Sequence, residues 1–545
     1  MPLSSIPATT LTVLALGLLT FLIKQFVFPL YKRCAAIGHI AGPPCDNIWT
    51  GEEAWPQSST LAHLHTGNWH QLFHKNAWQF KKSIQETYGG VLKINALFGA
   101  DRPSYETNAY HLLRSRLSFG YGLVGTTGAK HLKQRRLMAP YFASKYLRTL
   151  LPVFYPFAYE LCDDIEKKIK KYDGVINMHR MMSIAALEYV GTGLGYRFDG
   201  LNESKPNEYN DAAKALNPLT FKLSTYRAFL PYWVQLGPAW FRKRLVDWVP
   251  WPDLHRVKAV IYRMDDIAQD ILQTRKQAFA DGESYGRDIL SAIMRYNDEA
   301  EDDEKIDKDE IISHITTTLF AGHETTAGVL SRIIHQLSLH HDAQERLREE
   351  VTKAREAKGD LEFEDLLELP YLDAICKETL RVYPPVDQLY RTSVKPTVIP
   401  ILYPIQSTDG KELREIAIEP GTDTIVSIVG YNRNKSVWGA DAEEWIPERW
   451  LEPLRTSVLQ AKLPAVFSHM MTFTLGERAC IGYKFAEMEM KLILSVLLSR
   501  FRFSIDPKNE IFWNMGGSIT PIVKDSGQIE PTLPIRVSVL PKATA

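Results

Sequence analysis

One ten-residue segment constrains this chain more than any other: Phe473-Thr474-Leu475-Gly476-Glu477-Arg478-Ala479-Cys480-Ile481-Gly482. A cysteine at a helix start is commonly a small buried apolar residue, but the neighbours here ask for more. Cys480 precedes an amphipathic stretch (Phe485, Met488, Leu492, Val496), and a helix N-terminus favours thiolate over thiol. Gly476 and Gly482 permit backbone conformations and close approaches that a side chain blocks. Arg478 is a permanently charged fork shaped for a carboxylate. A flat dianionic cofactor whose metal takes one thiolate would use all four.

Five cysteines (Cys34, Cys45, Cys162, Cys376, Cys480) in 545 residues do not make a disulfide framework, and no two stand at metal-ligand spacing. With 64 Lys+Arg against 64 Asp+Glu, nucleic acid is not expected as a partner, since phosphate binding needs a basic excess.

Residues Ile6 to Ile23 form an uncharged, mostly apolar run, followed by Lys24, Lys32 and Arg33. As a helix it would reach roughly 27 Å, near the thickness of a bilayer's hydrocarbon core. A cleaved signal peptide would need a positive n-region, which is missing. The expectation is therefore a single-pass membrane anchor over 1–30, with the bulk of the chain cytoplasmic by the positive-inside rule. A basic, proline-rich hinge follows over 31–60, around Gly42-Pro43-Pro44, and a catalytic domain over 61–545. Glycan on either sequon, Asn202 or Asn434, would contradict that orientation.

From about residue 60 to 380 apolar positions recur at threes and fours, the helical period. Short β-like pieces follow between Val398 and Val426, and roughly the last forty residues again read as strands and turns. The acidic run Asp298–Glu310 leads into a predicted central helix of about thirty residues, marked by Ile311, Ile315, Leu319, Leu330, Ile333 and Leu337. The fold class expected is mainly α with a small β portion, one large domain.

Four further fragments are ambiguous in isolation. Glu378-Thr379-Leu380-Arg381 is by itself a surface ion pair one helical turn apart. Ala321-Gly322-His323-Glu324-Thr325-Thr326 places poor helix formers mid-helix where packing does not call for them, and a metalloprotease H-E-x-x-H fails at Ala327. His131-Leu132-Lys133-Gln134-Arg135-Arg136 lies in a stretch, 107–159, without an acidic side chain. Gly120-Tyr121-Gly122-Leu123-Val124-Gly125 fits G-x-G-x-x-G literally but lacks both the βαβ context and the following acid of a dinucleotide site. It reads as a loop over the active site.

Taken together these residues resemble the cytochrome P-450 family, whose cysteine loop reads F-x-x-G-x-R-x-C-x-G; Phe473, Gly476, Arg478, Cys480 and Gly482 meet every fixed position. The resemblance implies that Cys480 is the axial iron ligand of haem b, shielded by Phe473, with Arg478 paired to a propionate. Cysteine ligation favours O–O cleavage. Arg135 and His131, the latter in place of the family's usual Trp, and less specifically Arg391, match propionate-contacting positions. Glu324 and Thr325 match the pair that delivers protons, with Gly322 opening a groove for dioxygen. Glu378, Arg381 and Arg449 (in Pro447-Glu448-Arg449-Trp450) match a buried structural network. The reaction implied is monooxygenation of a lipophilic molecule, a terpenoid or sterol of secondary metabolism. Electrons would come from NADPH through cytochrome P-450 reductase, which Lys133 and Arg136 could face, at the endoplasmic reticulum membrane. Substrate contacts by resemblance are Phe119–Leu123, Thr317, Phe320, Val386–Leu389 and Ser518–Ile519, with Phe320 and Ala321 as an apolar ceiling. A reductase-independent haem-thiolate isomerase or gas-binding protein would keep Cys480 but dispense with Glu324 and Thr325. The interval 91–131 is shorter than the family's, so part of the first sheet is expected to be reorganised.

Overall fold

The central helix starts where an acid can cap it. In the computed structural model the Asp307 carboxylate accepts the Glu310 N–H at 2.7 Å, and Asp309 and Glu310 complement the helix dipole in the first turn. The described residues are 104–541 apart from 204–206, 224–229, 283–285, 287, 303, 408, 462–466, 516–517 and 528–529, together with Trp78, Gln79 and Lys82. The expected anchor and hinge, and residues 91–103 of the short 91–131 interval, lie outside them. Among the described residues no helix is long and apolar enough to cross a membrane.

The larger of two compact units holds 109–389 and 426–541 of the described residues. Its helices include α1 (Ala109–Phe119), α2 (Gly128–Met138), α3 (Ser144–Lys171), α4 (Met178–Gly193), α5 (Glu208–Lys222), α6 (Pro252–Ala280), α7 (Lys308–Leu339), α8 (His341–Lys358), α9 (Pro370–Val382) and α10 (Tyr483–Arg500). The 32 residues of α7 match the expected length, and Ile311, Ile315, Leu319, Leu330, Ile333 and Leu337 are all buried. α7 packs most extensively on α4. At their crossing Gly322 lets the helices close up, because a Cβ there would lie 2.5 Å from Val190 Cγ2 and force that side chain to shift. The expectation that packing does not call for glycine in mid-helix is thus corrected: close approach of two helices favours it.

α10 begins directly after Gly482 and buries Phe485, Met488, Leu492 and Val496, so the cysteine loop is tethered to a helix packed into the core. Strand β2 (Val175–Asn177), β7 (Phe501–Ile505) and β10 (Pro534–Val539) form a sheet in the order β2-β10-β7, with Ile535 opposite both Ile176 and Ile505. A separate antiparallel pair joins β8 (Ile511–Asn514) and β9 (Thr520–Val523).

The smaller unit, described over 104–108 and Tyr390–Ile425, is the expected β portion. Here β1 (Tyr105–Thr107) pairs with β3 (Gln388–Ser393), placing Thr107 opposite Arg391, and β6 (Asp423–Ser427) lies on the other side of β3. β4 (Thr397–Gln406) pairs with β5 (Glu412–Ile418) through a register shift between Pro400 and Ile405, where proline cannot donate to the ladder.

Candidate active site

Cys480 sits at the end of a loop held in shape by its own backbone. The Cys480 N–H donates to the Phe473 carbonyl at 2.9 Å, and Ala479 N–H to that of Gly476 at 3.0 Å. Gly476 lies at φ 74°, where glycine is at no disadvantage, but Thr474 lies at φ 60°, which costs a branched residue energy. The Thr474 hydroxyl offsets part of this by donating to the Arg478 carbonyl at 3.2 Å.

The thiol opens into a cavity rather than into bulk solvent. Its wall takes Phe473, Arg478, Phe485 and Ala486 from the loop and α10, Leu123 and Val124 from the 120–127 loop, and His131 and Arg135 from α2. From α7 it takes His314, Thr317, Thr318, Ala321, Gly322 and Thr325, the stripe that one face of a helix presents. Burial pushes the Cys480 thiol up, while the Gly482 N–H and the Arg135 charge pull it down. Desolvation by the surrounding wall thus works against the helix-terminus effect at a thiol that is itself exposed to the cavity, and a bound metal would favour the thiolate.

The three basic residues expected on the propionate side do converge. Arg135 Nη1 donates to the Ala479 carbonyl at 2.7 Å. Arg478 Nη2 donates to Thr126 O at 2.6 Å, and Nη1 donates to His131 Nδ1 at 3.0 Å. Burial first, then the charges of Arg478 and Arg135, lower His131 from its ordinary value, so the ring is neutral. Its Nδ1 also lies 2.9 Å from the Leu123 carbonyl and its Nε2 3.2 Å from that of Glu477, so two acceptors face a neutral ring that has one proton. His131 thus orients Arg478 and joins the cysteine loop to the 120–127 loop.

Thr325 stands on the cavity wall, where its hydroxyl donates to the Ala321 carbonyl at 2.7 Å, the local rebonding expected of it. Glu324 does not share that wall. It is 4 % exposed on the sealed side of α7, next to His323. Burial pushes its carboxyl up, against the pull of Lys214. Phe320 also leaves the ceiling to Ala321: it stacks on Phe119 at 4.8 Å between ring centres. Of the other expected contacts, Leu123 and Thr317 line the cavity. Ile519 N–H binds the Pro385 carbonyl at 3.0 Å and Ser518 accepts from Asn217 at 3.1 Å, away from its wall.

Glu378, Arg381 and Arg449 form the expected network. Glu378 and Arg381 have side chains 0 % exposed and pair twice, at 2.7 and 2.8 Å. Arg381 Nη1 donates to the carbonyls of Asn432 (2.8 Å) and Ala442 (2.6 Å), and Nη2 also to that of Glu444 (3.0 Å). Trp450 Nε1 and the Ile446 N–H complete Glu378 at 2.9 and 3.0 Å, with Arg449 Nε at 3.5 Å. Asn432 is the link to the cysteine loop: its side chain accepts from Met471 N at 2.8 Å and donates to Thr472 Oγ1 at 2.8 Å. Arg391 belongs to the smaller unit, is buried in β3, and donates to the Tyr390 carbonyl at 2.9 Å.

Sequence reasoning missed Asn432, Gln134, His314, Thr318, Val190 and Ile289. The helical stripe through Thr317 and Ala321 could have found His314 and Thr318; Val190 and Ile289 reach the wall from distant segments without a local signal.

These residues fit a haem. The cavity presents one soft sulfur ligand, two guanidiniums and the His131 imidazole, and a remaining wall that is mostly apolar with His314 and the α7 threonines set in it, and among the described residues no cluster of three His, Cys, Asp or Glu offers a competing metal site. Cys162 and Cys376, both buried and pushed up to about 12 by desolvation, are inert by comparison.

Comparison with known proteins agrees. The sequence model of cytochrome P450 matches residues 93–526. Cytochrome P450 monooxygenase 91 of Postia placenta is 39% identical over 86% of this chain and 91% of its own length. Monooxygenase 81 of the same fungus is 36% identical over 97% of both, and a ganoderic acid synthetase of Ganoderma lucidum is 33% identical over 91% and 95%. The chain belongs to the cytochrome P450 family and is a monooxygenase of that family.

Proposed function

We propose that the protein oxidises a C–H bond of a lipophilic small molecule, a terpenoid or sterol, using haem b bound at Cys480 and electrons from NADPH through a membrane-bound reductase. The observation that carries this is the single thiol opening onto an apolar cavity that it shares with Thr325, Arg135, His131 and Arg478. Bound there, haem supplies the redox chemistry by which one atom of dioxygen enters substrate and the other leaves as water. Cys480 would hold the iron as a thiolate, and Arg135, Arg478 and His131 would receive the propionates. Leu123, Val124, Ala321, Ile289 and Phe485 exclude water and favour an apolar substrate. The Thr325 hydroxyl holds a proton on the cavity wall, with Glu324 as the acid that replenishes it. Lys133 and Arg136 face solvent on α2, where an acidic reductase surface would meet them.

Support for the substrate class comes from that lining and from the relative named ganoderic acid synthetase. The N-terminal apolar run supports anchorage in the endoplasmic reticulum membrane with the catalytic part cytoplasmic. Asn434 is buried with its side chain accepting from Ser436 N at 2.8 Å, so among the two sequons only Asn202, which is exposed, is a usable topology reporter.

A reduced carbon-monoxide difference spectrum tests the ligand: wild type gives the thiolate signature and Cys480→Ser loses it. Spin-state shifts on titration with terpenoids and sterols then test the substrate class. A nitrogen-ligand spectrum, or shifts confined to polar compounds, would overturn the respective half.

A further inference from the structure

Eight hydroxyl side chains lie along α7, and a hydroxyl inside a helix ordinarily settles on the carbonyl one turn back. Five do so: Ser313, Thr316, Thr325, Ser331 and Ser338 donate to the carbonyls of Asp309, Ile312, Ala321, Ala327 and Ile334 at 2.6–3.0 Å. Thr317 does not. Its Oγ1 is buried without a hydrogen-bond partner among the described residues. One turn earlier His314, 2 % exposed, leaves Nε2 in the same condition. Glu310 Oε1 is 3.8 Å away, beyond hydrogen-bond reach, and is already taken by Gln134 Nε2 at 2.8 Å.

Thr317 and Thr318 stand three and four residues after His314, so the three share one face of the helix, and all line the cavity onto which Cys480 opens. The same wall carries Leu123, Val124 and Ile289. Buried polar atoms are normally satisfied, and two orphans on one turn of a ligand cavity are accounted for by a ligand. Its chemistry follows from theirs. A threonine hydroxyl donates and accepts, and an imidazole with one proton does one of each at its two nitrogens. A substrate hydroxyl, which also does both, can complete the pair. A hydrocarbon cannot, and a carboxylate would add a second negative charge beside Glu310.

We propose that His314 and Thr317, with Thr318 alongside, form a polar subsite that anchors a hydroxyl group of an otherwise lipophilic substrate. This rests on the reading of the cavity as the substrate chamber and of Thr325 as the residue beside oxygen activation. It adds that the substrate arrives already oxygenated, and where. At 1.5 Å per residue α7 rises about 10 Å from Thr318 to Thr325 and about 16 Å from His314, so the carbon oxidised lies a comparable distance from the anchored hydroxyl. The reaction that supplies the substrate is therefore one that leaves a hydroxyl on a hydrocarbon skeleton, at the end remote from the one oxidised here.

Spin-state titration of the haem-loaded protein with cholesterol and with cholest-5-ene, which differ by one hydroxyl, reads the subsite. The alcohol should bind about 25-fold more tightly. Thr317→Val and His314→Phe should each remove about fivefold of that preference, the factor one ordinary hydrogen bond carries, and leave cholest-5-ene binding as it was. Without sterol, a hydroxyl engaged in the fold would lose stability on Thr317→Val, whereas an orphan should give a urea midpoint equal to or above wild type. In turnover the new oxygen should appear at the side-chain end of cholesterol. Equal affinity for both sterols in wild type, a preference that survives both substitutions, a lowered midpoint in Thr317→Val, or attack on the ring that bears the hydroxyl overturns the proposal. If neither sterol shifts the spin state of wild type, the substrate class proposed above falls for sterols, and the midpoint then decides the subsite.

Discussion

Two sets of arginines in this protein carry the same guanidinium to opposite ends. Arg381 commits all five of its N–H donors inside the fold, two to Glu378 and three to backbone carbonyls, and lies off the cavity altogether. Arg135 and Arg478 stand on the cavity wall among carbonyl oxygens and a neutral imidazole. A saturated buried charge is part of the framework, because removing any partner strands another. A charge arranged around an opening is part of a binding surface, because what satisfies it best arrives from outside. Cation identity alone does not separate the two cases; place does, since Arg381 is sealed inside the fold while Arg135 and Arg478 stand on the cavity wall.

The contrast can be broken most sharply at Arg381. Arg381→Ala should cost about 3–5 kcal/mol by leaving Glu378 buried and unpaired, read as collapse of the urea midpoint and of haem-loaded yield. A variant that folds with full haem would erase the distinction. Gly322→Ala comes next, at about 1–3 kcal/mol, because its methyl would meet Val190. Adding Val190→Ala should recover stability, and absence of recovery would show that the helix crossing is not what requires glycine.

Glu310 sharpens the cavity side, since it holds the 120–127 loop's support. Its carboxylate takes Lys130 at 2.8 Å and Gln134 at 2.8 Å, and Gln134 in turn donates to Tyr121 O at 2.9 Å. Burial pushes the Glu310 carboxyl up, but His314 at 3.8 Å and the Lys130 and Gln134 contacts bring it down to about 2, below its ordinary 4.5. A depressed carboxyl stabilises the fold above its unfolded pKa, and that contribution is lost as pH falls from about 4.5 to about 2. Wild type should exceed Glu310→Gln by roughly 1–2 kcal/mol at neutral pH, solvent screening allowed for, and the gap in urea midpoints should close in acid. A gap independent of pH would mean that charge plays no part. The smallest stability effect belongs to Thr325→Ala, within about 0.5 kcal/mol, because its hydroxyl bonds only its own helix. There the expected change is functional: more peroxide, less product, at an unaltered midpoint.

What the sequence made legible follows from what is local in it. Cys480 and its glycines, the Glu378–Arg381 turn and the α7 stripe are all contiguous spacings, and each appears where the period places it. Contacts between distant segments were not legible. Nothing near Gly322 names Val190, and nothing near Met471 names Asn432. His131, expected on the propionate side, also bridges two distant loops, its ring nitrogens facing the Leu123 and Glu477 carbonyls, a pairing that no local spacing announces. Glu324 and Thr325 are adjacent in sequence, but one residue turns a helix by about 100°, enough to put one in the cavity and the other in the core.

Asn432 has a wider consequence. One backbone oxygen answers to Arg381 while one side-chain amide clasps Met471 and Thr472, so the framework and the sulfur loop share a rivet. A change at Asn432 would therefore be felt in both places at once, which no substitution confined to either neighbour could achieve.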